Sequence, residues 1–431
     1  MQIEKITKTI LPAVAIGLLI SGTSFANTST VFEDNFANGV VTDSKDTAGY
    51  WTVSLGAGAG DANAVSETGG TLTMTAGSND GENDGSHSGV NLSSAISSSF
   101  NFFTKPITFS VRGITFDDFG TGLTAAQQQF RFCLLSGANE SWSADDAVVV
   151  KVAPDGTIRL GAKENEPSNN SDGAFVDNIT GLGADGTYGF DLIVGPVGST
   201  TQVGYQLVAY TNAVPVVAGS TNGLLSLAKA NWGASGSGDA KLCFWTQEGN
   251  VTGGNEYFQA TITNVLVQSD DNLLFNPGLE TGTTAGWDDF GGTLSTETAT
   301  VYDGTYAGRL SSRANVWDSF SRSVVGVMST GETYRVSIWA RLGSGSDQPA
   351  RFRLRITDGT PATTRYLEID TKTLTSTNWT LLQGNVTYAY TPPLDSALLY
   401  IRDISAGVDL LVDEASVTKF IQKKGTVLVI R

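Results

Sequence analysis

The sequence predicts an all-β chain, with two β-sandwich (jelly-roll) domains in tandem behind a signal peptide. Three observations carry this. Strand-length runs with a period of two recur from residue 31 to residue 417. No strand–helix–strand alternation separates them. A polar break, Gln268-Ser-Asp-Asp271, divides the runs into two blocks. A period of two puts one set of side chains on a core face and the other on solvent. Many short strands without βαβ units pack as sandwiches or jelly rolls.

Residues 1–26 read as a signal peptide. Lys5 and Lys8 supply a positive start, Ile10 to Ile20 is mostly apolar, and Ser24-Phe25-Ala26 offers small residues for cleavage after Ala26. The apolar run is too short for a bilayer, which takes about 20 residues. No later stretch is long and apolar enough to cross a membrane. The expectation is a chain secreted to the extracellular space or the periplasm, with no membrane segment after cleavage.

The first domain is placed at residues 28–269. Leu72, Met74 and Ala76 alternate with threonines, and Ile107, Phe109 and Val111 alternate with Thr108 and Ser110. Val148 to Val152 and Thr157 to Leu160 flank Pro154-Asp155-Gly156, a hairpin signature. Tyr188–Val194, Val203–Tyr210 and Thr261–Val267 continue the pattern. Helical periodicity is confined to scraps at Thr124–Gln129 and Leu224–Ala230. The second domain is placed at residues 271–420 and a C-terminal tail at 421–431. So short a linker puts the sandwiches end to end. No repeat links the halves, and the chain reads as a monomer.

Composition narrows function. A net charge of −17 with no basic stripe repels phosphate backbones, so nucleic acid is excluded as a partner. Fifty glycines and 40% hydrophobic residues suit a turn-rich, folded β protein. Cys133 and Cys243 each sit in an apolar run, where a disulfide and buried thiols are both open readings. His87 is the only histidine, in a Gly-Asn-Asp-Ser loop that suits a surface position. A catalytic triad or a zinc centre has little to draw on. Asp80-Gly-Glu-Asn-Asp-Gly85 imitates half of a calcium loop, but Asn91 stands where a bidentate Glu is needed, so an EF-hand fails.

From Asn272 to Lys419 a set of motifs runs in order. It begins with Phe275-Asn-Pro-Gly-Leu-Glu-Thr-Gly282 and Gly286-Trp287, then Ser312-Arg-Ala-Asn-Val-Trp317 and Gly331-Glu-Thr-Tyr-Arg-Val-Ser-Ile-Trp339. Arg365-Tyr-Leu-Glu-Ile-Asp370, Trp379, Leu399-Tyr-Ile-Arg402 and Leu411-Val-Asp-Glu414 complete it. Their order and spacing resemble carbohydrate-binding modules of the family 4, 9 and 22 group, and family 22 most. The resemblance implies a β-sandwich that binds polysaccharide, with Trp317, Tyr366 and Tyr400 as the sugar-stacking rings. The bottom-up reading agrees, since flat C–H faces of sugars stack on aromatic rings beside fixed polar partners. Trp287, Trp339 and Trp379 are expected in the core. Two departures stand out. Arg402 occupies the place of a sugar-binding glutamate, and Phe290 that of an arginine. A guanidinium there suits carboxylate or sulfate groups, so an anionic glycan is expected over neutral xylan. The resemblance also implies a structural calcium site, with the carboxylates of Glu280 and Asp413 and carbonyls near Gly278 and Gly308 as hard oxygen ligands.

The first domain resembles concanavalin A-like jelly rolls through Val31-Phe-Glu-Asp-Asn-Phe36, Tyr50-Trp51-Thr52, Gly69-Gly-Thr-Leu-Thr-Met74 and Ile262 to Val267. That fold hosts lectin-like and hydrolytic domains alike, so it does not settle function. The Glu-x-Asp-x-x-Glu strand of laminarinase-type hydrolases has its nearest match at Glu368-Ile-Asp370, with Thr at position 373. No catalytic residue is assigned. The leading expectation is a non-catalytic, secreted polysaccharide-binding protein. Two rivals remain. One is an extracellular glycoside hydrolase or lyase with a catalytic N-terminal jelly roll and a targeting module behind it. The other is a surface or matrix adhesion protein.

Overall fold

The structure is a computed structural model. It describes residues 28–37, 43–44, 47–48, 51–54, 64–78, 88–92, 102–118, 129–136, 146–164, 175–184, 186–211, 216–227, 232, 241–247 and 256–420. The expected signal peptide, Asp80–Gly85, His87 and the C-terminal tail lie outside the described residues. Among the described residues there is no helix, and every strand pairing is antiparallel.

Two large sheets and a two-stranded pair, Asp43–Ser44 with Thr47–Ala48, lie before the polar break. In one, the order is Val216–Ser226, Gln202–Thr211, Tyr188–Pro196, Ile107–Asp118, Glu256–Ile262, Thr71–Ser78 and Ala64–Thr68, with Asn264–Asp270 bridging Ile107–Asp118 and Thr28–Asp34. The other runs Phe175–Ile179, Thr157–Glu164, Asp146–Ala153, Gln129–Leu135, Lys241–Gln247, Ser88–Leu92 and Trp51–Ser54. Leu72, Met74, Ile107, Phe109 and Val111 are buried between them, as their alternation demands. The hairpin at Pro154-Asp155-Gly156 closes with Gly156 in the left-handed region and its N–H donating to the Ala153 carbonyl at 3.0 Å.

Two sequence readings need correction. Thr261–Val267 is not one strand. It divides at Thr263, because Glu256–Ile262 pairs with Thr71–Ser78 while Asn264–Asp270 turns to pair with Thr28–Asp34. Leu224–Ser226 ends a strand held by Gln202–Gly204, so ladder pairing overrides the local helical spacing. Cys133 and Cys243 stand directly opposite each other on neighbouring strands, buried and not joined as a disulfide.

Two five-stranded sheets follow the break. The first runs Asp288–Phe290, Ser319–Ser323, Leu394–Arg402, Gln348–Asp358 and Thr363–Leu374. The second runs Thr293–Glu297, Ala307–Ser311, Leu410–Lys419, Thr333–Leu342 and Thr380–Thr387. Val336, Ile338, Phe352, Leu354, Leu399 and Val412 fill the layer between them.

The two sandwiches meet closely. Gly195 and Gly204 are direct partners across two strands of the first, and both abut the buried ring of Phe275. A Cβ on Gly204 would lie 2.3 Å from that ring, so only glycine fits. Arg322 is fully buried beside Trp287. It donates to the Gly286 carbonyl of its own domain and to the Pro196 carbonyl of the other, the latter at 2.9 Å. Asn222 adds bonds to the Thr281 carbonyl and the Thr283 hydroxyl.

Candidate functional site

Strand alternation writes a polar face onto the first C-terminal sheet. Along Gln348–Asp358, Phe352, Leu354 and Ile356 turn inward, which sends Arg351, Arg353 and Arg355 to the opposite face. Along Leu394–Arg402, Leu399 and Ile401 are buried, and Leu398, Tyr400 and Arg402 face out. Ser319 and Ser321 from the adjoining strand keep the middle of the face low. Phe290, Trp317, Ser319, Ser321, Arg355, Tyr366, Leu398, Tyr400 and Arg402 thus line a cleft of about 280 Å³.

The cleft has aromatic walls. Trp317 is 50% exposed, Tyr366 52% and Phe290 48%, which is unusual for such large apolar rings. The structure brings Trp317, Tyr366, Tyr400 and Arg402, the residues expected from the sequence, to one place. Phe290, noted only as a lost arginine, joins them as a third wall.

Trp317 sits in a loop, yet the loop is held firmly. Arg313 is buried and donates to the carbonyls of Asp318, Ile404, Ser405 and Val408 at 2.9–3.1 Å. The Asp318 carboxylate accepts the N–H groups of Ala314 and Asn315 at 2.7 and 2.9 Å. Asp403 N–H donates to the Val316 carbonyl at 2.9 Å, tying the loop to the end of the Arg402 strand. The ring is thus placed before any ligand arrives, which lowers the entropy that binding must offset.

The floor is polar and short of partners. Ser319 Oγ, Arg355 Nε and the Tyr400 hydroxyl are buried and make no hydrogen bond of acceptable geometry within the protein. Such atoms in a native structure call for an explanation, and a ligand or water that completes them is one. Arg402 is better supplied: its Nε donates to Asp403 Oδ1 at 2.8 Å. Burial acts to lower Arg402, but the Asp403 carboxylate outweighs it, with the Tyr400 hydroxyl acting in the same sense, so the guanidinium is held above its ordinary range. Arg355 stands beneath Phe290, 5.8 Å from the ring centroid. The guanidinium that the sequence reading found missing at position 290 is therefore present, supplied from another strand. Its signal was legible as Arg-Phe-Arg-Leu-Arg, a period-two run with every arginine on one face.

Glu368 and Asp370, the nearest match to a hydrolase motif, are committed elsewhere. Glu368 accepts from the Thr371 hydroxyl and pairs with Arg353 at 3.1 Å, and those contacts hold it below the usual carboxylate range. Asp370 accepts the Gln383 N–H and pairs with Lys372.

A second group of acids lies where the opening segment meets the last strand. Glu280 accepts the N–H groups of Thr305 and Tyr306, and Asp413 those of Tyr302, Asp303 and Glu414. Despite these donors, burial pushes Asp413 up to about 7 and raises Glu280 above its ordinary value. Gly278 lies between them. A Cβ there would meet Glu414 Oε1 at 2.5 Å and Asp413 Oδ1 at 3.4 Å. Gly308 stands mid-strand opposite Val412, its missing side chain making room for the Phe320 ring. Among the described residues, no cluster of three or more His, Cys, Asp or Glu side chains is arranged as a metal site. The donor set fits calcium in kind, with hard carboxylate oxygens around a cradle that a Cβ would fill.

Of the three tryptophans expected in the core, Trp287 is buried there. Trp339 and Trp379 are not. They are half-buried on the outer face of the second sheet, where Tyr302 stacks on Trp339 at 3.9 Å and meets Trp379 edge-on at 6.1 Å. Val336 and Ile338 turn inward on that strand, and the same alternation sends Trp339 outward.

Residues 271–403 match the family model of the 4 and 9 group described as a carbohydrate binding domain. This agrees with the resemblance carried by the motifs. Among curated proteins, the chain is 23% identical over 175 residues to Exoglucanase XynX of Acetivibrio thermocellus, covering 38% of this chain and 15% of that protein. It is 25% identical over 108 residues to Endo-1,4-beta-xylanase A of Thermotoga maritima, covering 25% of this chain and 10% of that protein. The chain thus spans a small part of these relatives. Among solved structures, the CBM22-1 xylan-binding domain of Paenibacillus barcinonensis Xyn10C is 26% identical, with a TM-score of 0.31, covering 33% of this chain and 90% of that one. The CBM22-1-CBM22-2 tandem domain of the same protein is 12% identical, with a TM-score of 0.34, covering 91% of this chain and 98% of that one.

Proposed function

We propose that this chain is an exported, non-catalytic polysaccharide-binding protein whose C-terminal sandwich holds a glycan in the cleft between Trp317 and Tyr366. The observation that supports it is the cleft itself: exposed rings over a floor of buried polar atoms without partners, in a domain matched to a carbohydrate-binding family. Sugar faces stack on the rings, and hydroxyl groups complete Ser319, Arg355 and Tyr400. Isothermal titration of the full chain against soluble polysaccharides tests this. Saturable binding that Trp317→Ala weakens supports the reading, and no binding to a broad glycan array overturns it.

A second reading is favoured by the names of the curated relatives, an exoglucanase and a xylanase. In it, this chain directs glycan cleavage, and the N-terminal sandwich carries the chemistry. Reproducible release of reducing sugar from a polysaccharide panel would establish that reading over the first.

Calcium belongs to the proposal as a structural ion. Gly278, Glu280 and Asp413 would hold it, with Glu414 beside them. The cation would supply the charge that these buried carboxylates lack, fastening the opening segment to the last strand. Gly308 would contribute through its place beside Val412 and Asp413 rather than through a side chain.

A further inference from the structure

Four arginines face the same side of the cleft sheet, and three of them pair with two carboxylates, Asp403 being shared. Arg351 pairs with Asp403 at 3.1 Å, Arg353 with Glu368 at 3.1 Å, and Arg402 with Asp403 at 2.8 Å. Arg355 has none among the described residues, and its Nε is buried without a hydrogen bond. The residues lining the cleft include two guanidinium groups and no carboxylate. Ser319 Oγ and the Tyr400 hydroxyl, which likewise make no hydrogen bond of acceptable geometry, share that lining with Arg355.

A neutral sugar hydroxyl could accept from Arg355 but would leave its charge unanswered in a half-buried site. A carboxylate answers both needs, because it accepts several hydrogen bonds and carries the opposite charge, and its two oxygens suit a guanidinium fork. The whole chain, at −17, repels a dense polyanion, whereas an isolated charge close to Arg355 is screened from distant acids beyond about 8 Å at physiological salt. Charge at the cleft and charge on the chain together favour a largely neutral glycan with scattered acidic groups.

Building on the proposed glycan cleft, we propose that its ligand bears carboxylates, as uronic acid units on a neutral backbone, with Arg355 as the anchoring donor. The sugar ring lies against Trp317 or Tyr366 while its carboxylate reaches the floor. This moves the anchoring role from Arg402, which shares the Asp403 carboxylate with Arg351, to Arg355, which has no carboxylate partner among the described residues.

The test is isothermal titration of the full chain with glucuronoxylan, with the same polymer after chemical reduction of its carboxylates, and with dextran sulfate. The acidic xylan should bind at least tenfold more tightly than its reduced form, and Arg355→Gln should erase the difference while leaving the melting temperature near that of the parent. Equal binding of the two xylans by the parent would overturn the carboxylate assignment and leave the glycan cleft standing. Tighter binding of dextran sulfate would overturn it in favour of a sulfated ligand. Binding of no polymer at all would remove both the inference and the reading beneath it. If Arg355→Gln does not fold, the comparison of acidic and reduced polymer on the parent decides alone.

Discussion

The ring of Phe275 rests against Gly204, close enough that a Cβ on the glycine would sit 2.3 Å from Cε1. Phe275 lies a few residues past the domain junction, and Gly204 belongs to the first sandwich, so this contact couples two cores. We expect Gly204→Val to push the ring out and Phe275→Ala to destabilise the chain by about 3 kcal/mol, on the scale of a buried phenylalanine. Calorimetry should show one cooperative transition for the parent and two separated ones for Gly204→Val.

Trp317→Ala and Tyr366→Ala should each weaken glycan binding about tenfold or more, or about 1.4 kcal/mol, with little effect on melting because both rings are half-exposed. Titration beside a thermal melt separates loss of contact from loss of fold.

Tyr400→Phe separates recognition from stability by a different route. The hydroxyl is buried beside Arg402 without a hydrogen bond of acceptable geometry in the free protein, so removing it should cost little stability. Affinity should fall, because the ligand loses the group it completes. A drop in melting temperature with affinity intact would place the hydroxyl in an internal contact.

Chelation should lower the melting temperature of metal-loaded protein, because an ion bound only by the native state stabilises it. Trp339→Ala should do the same. Its stack with Tyr302 holds the segment whose amides at Tyr302 and Asp303 meet Asp413, which is Trp339's own neighbour across the strands. An EDTA-insensitive melt of loaded protein would remove calcium from the account.

Burial pushes the Cys133 thiol up to about 12 from an ordinary 9.0. At about pH 8 it is protonated and sheltered, so native protein should resist iodoacetamide and react once unfolded in urea. The unfolded thiol ionises first as pH rises, so this group's contribution to stability is complete below about pH 9 and is lost toward about pH 12. Mass spectrometry of alkylated samples checks the first point, and alkaline melts check the second.

Much of this was legible in the chain. Alternation around Leu72 and Ile107 sets which residues face inward, and the motifs around Trp317, Tyr366 and Tyr400 carry the rings that line the cleft. What escaped the reading were relationships between distant segments. Nothing near Gly195 or Gly204 in sequence announces Phe275, because the contact exists only once the two sandwiches meet. Trp339 lies outside the core for another reason: its place in the alternation of Val336 and Ile338 outweighs its hydrophobicity. Arg355 follows from the same alternation, since it shares a face with Arg351 and Arg353.

The four carbonyl bonds of Arg313 carry a consequence for any shortened version of this protein. Three of the acceptors, Ile404, Ser405 and Val408, lie beyond residue 403, where the family match ends. A fragment trimmed to the matched residues would keep every ring of the cleft. It would lose the strand Leu410–Lys419 from the middle of the second sheet and most of the clamp that aims Trp317. The matched segment is thus shorter than the folded domain that contains it.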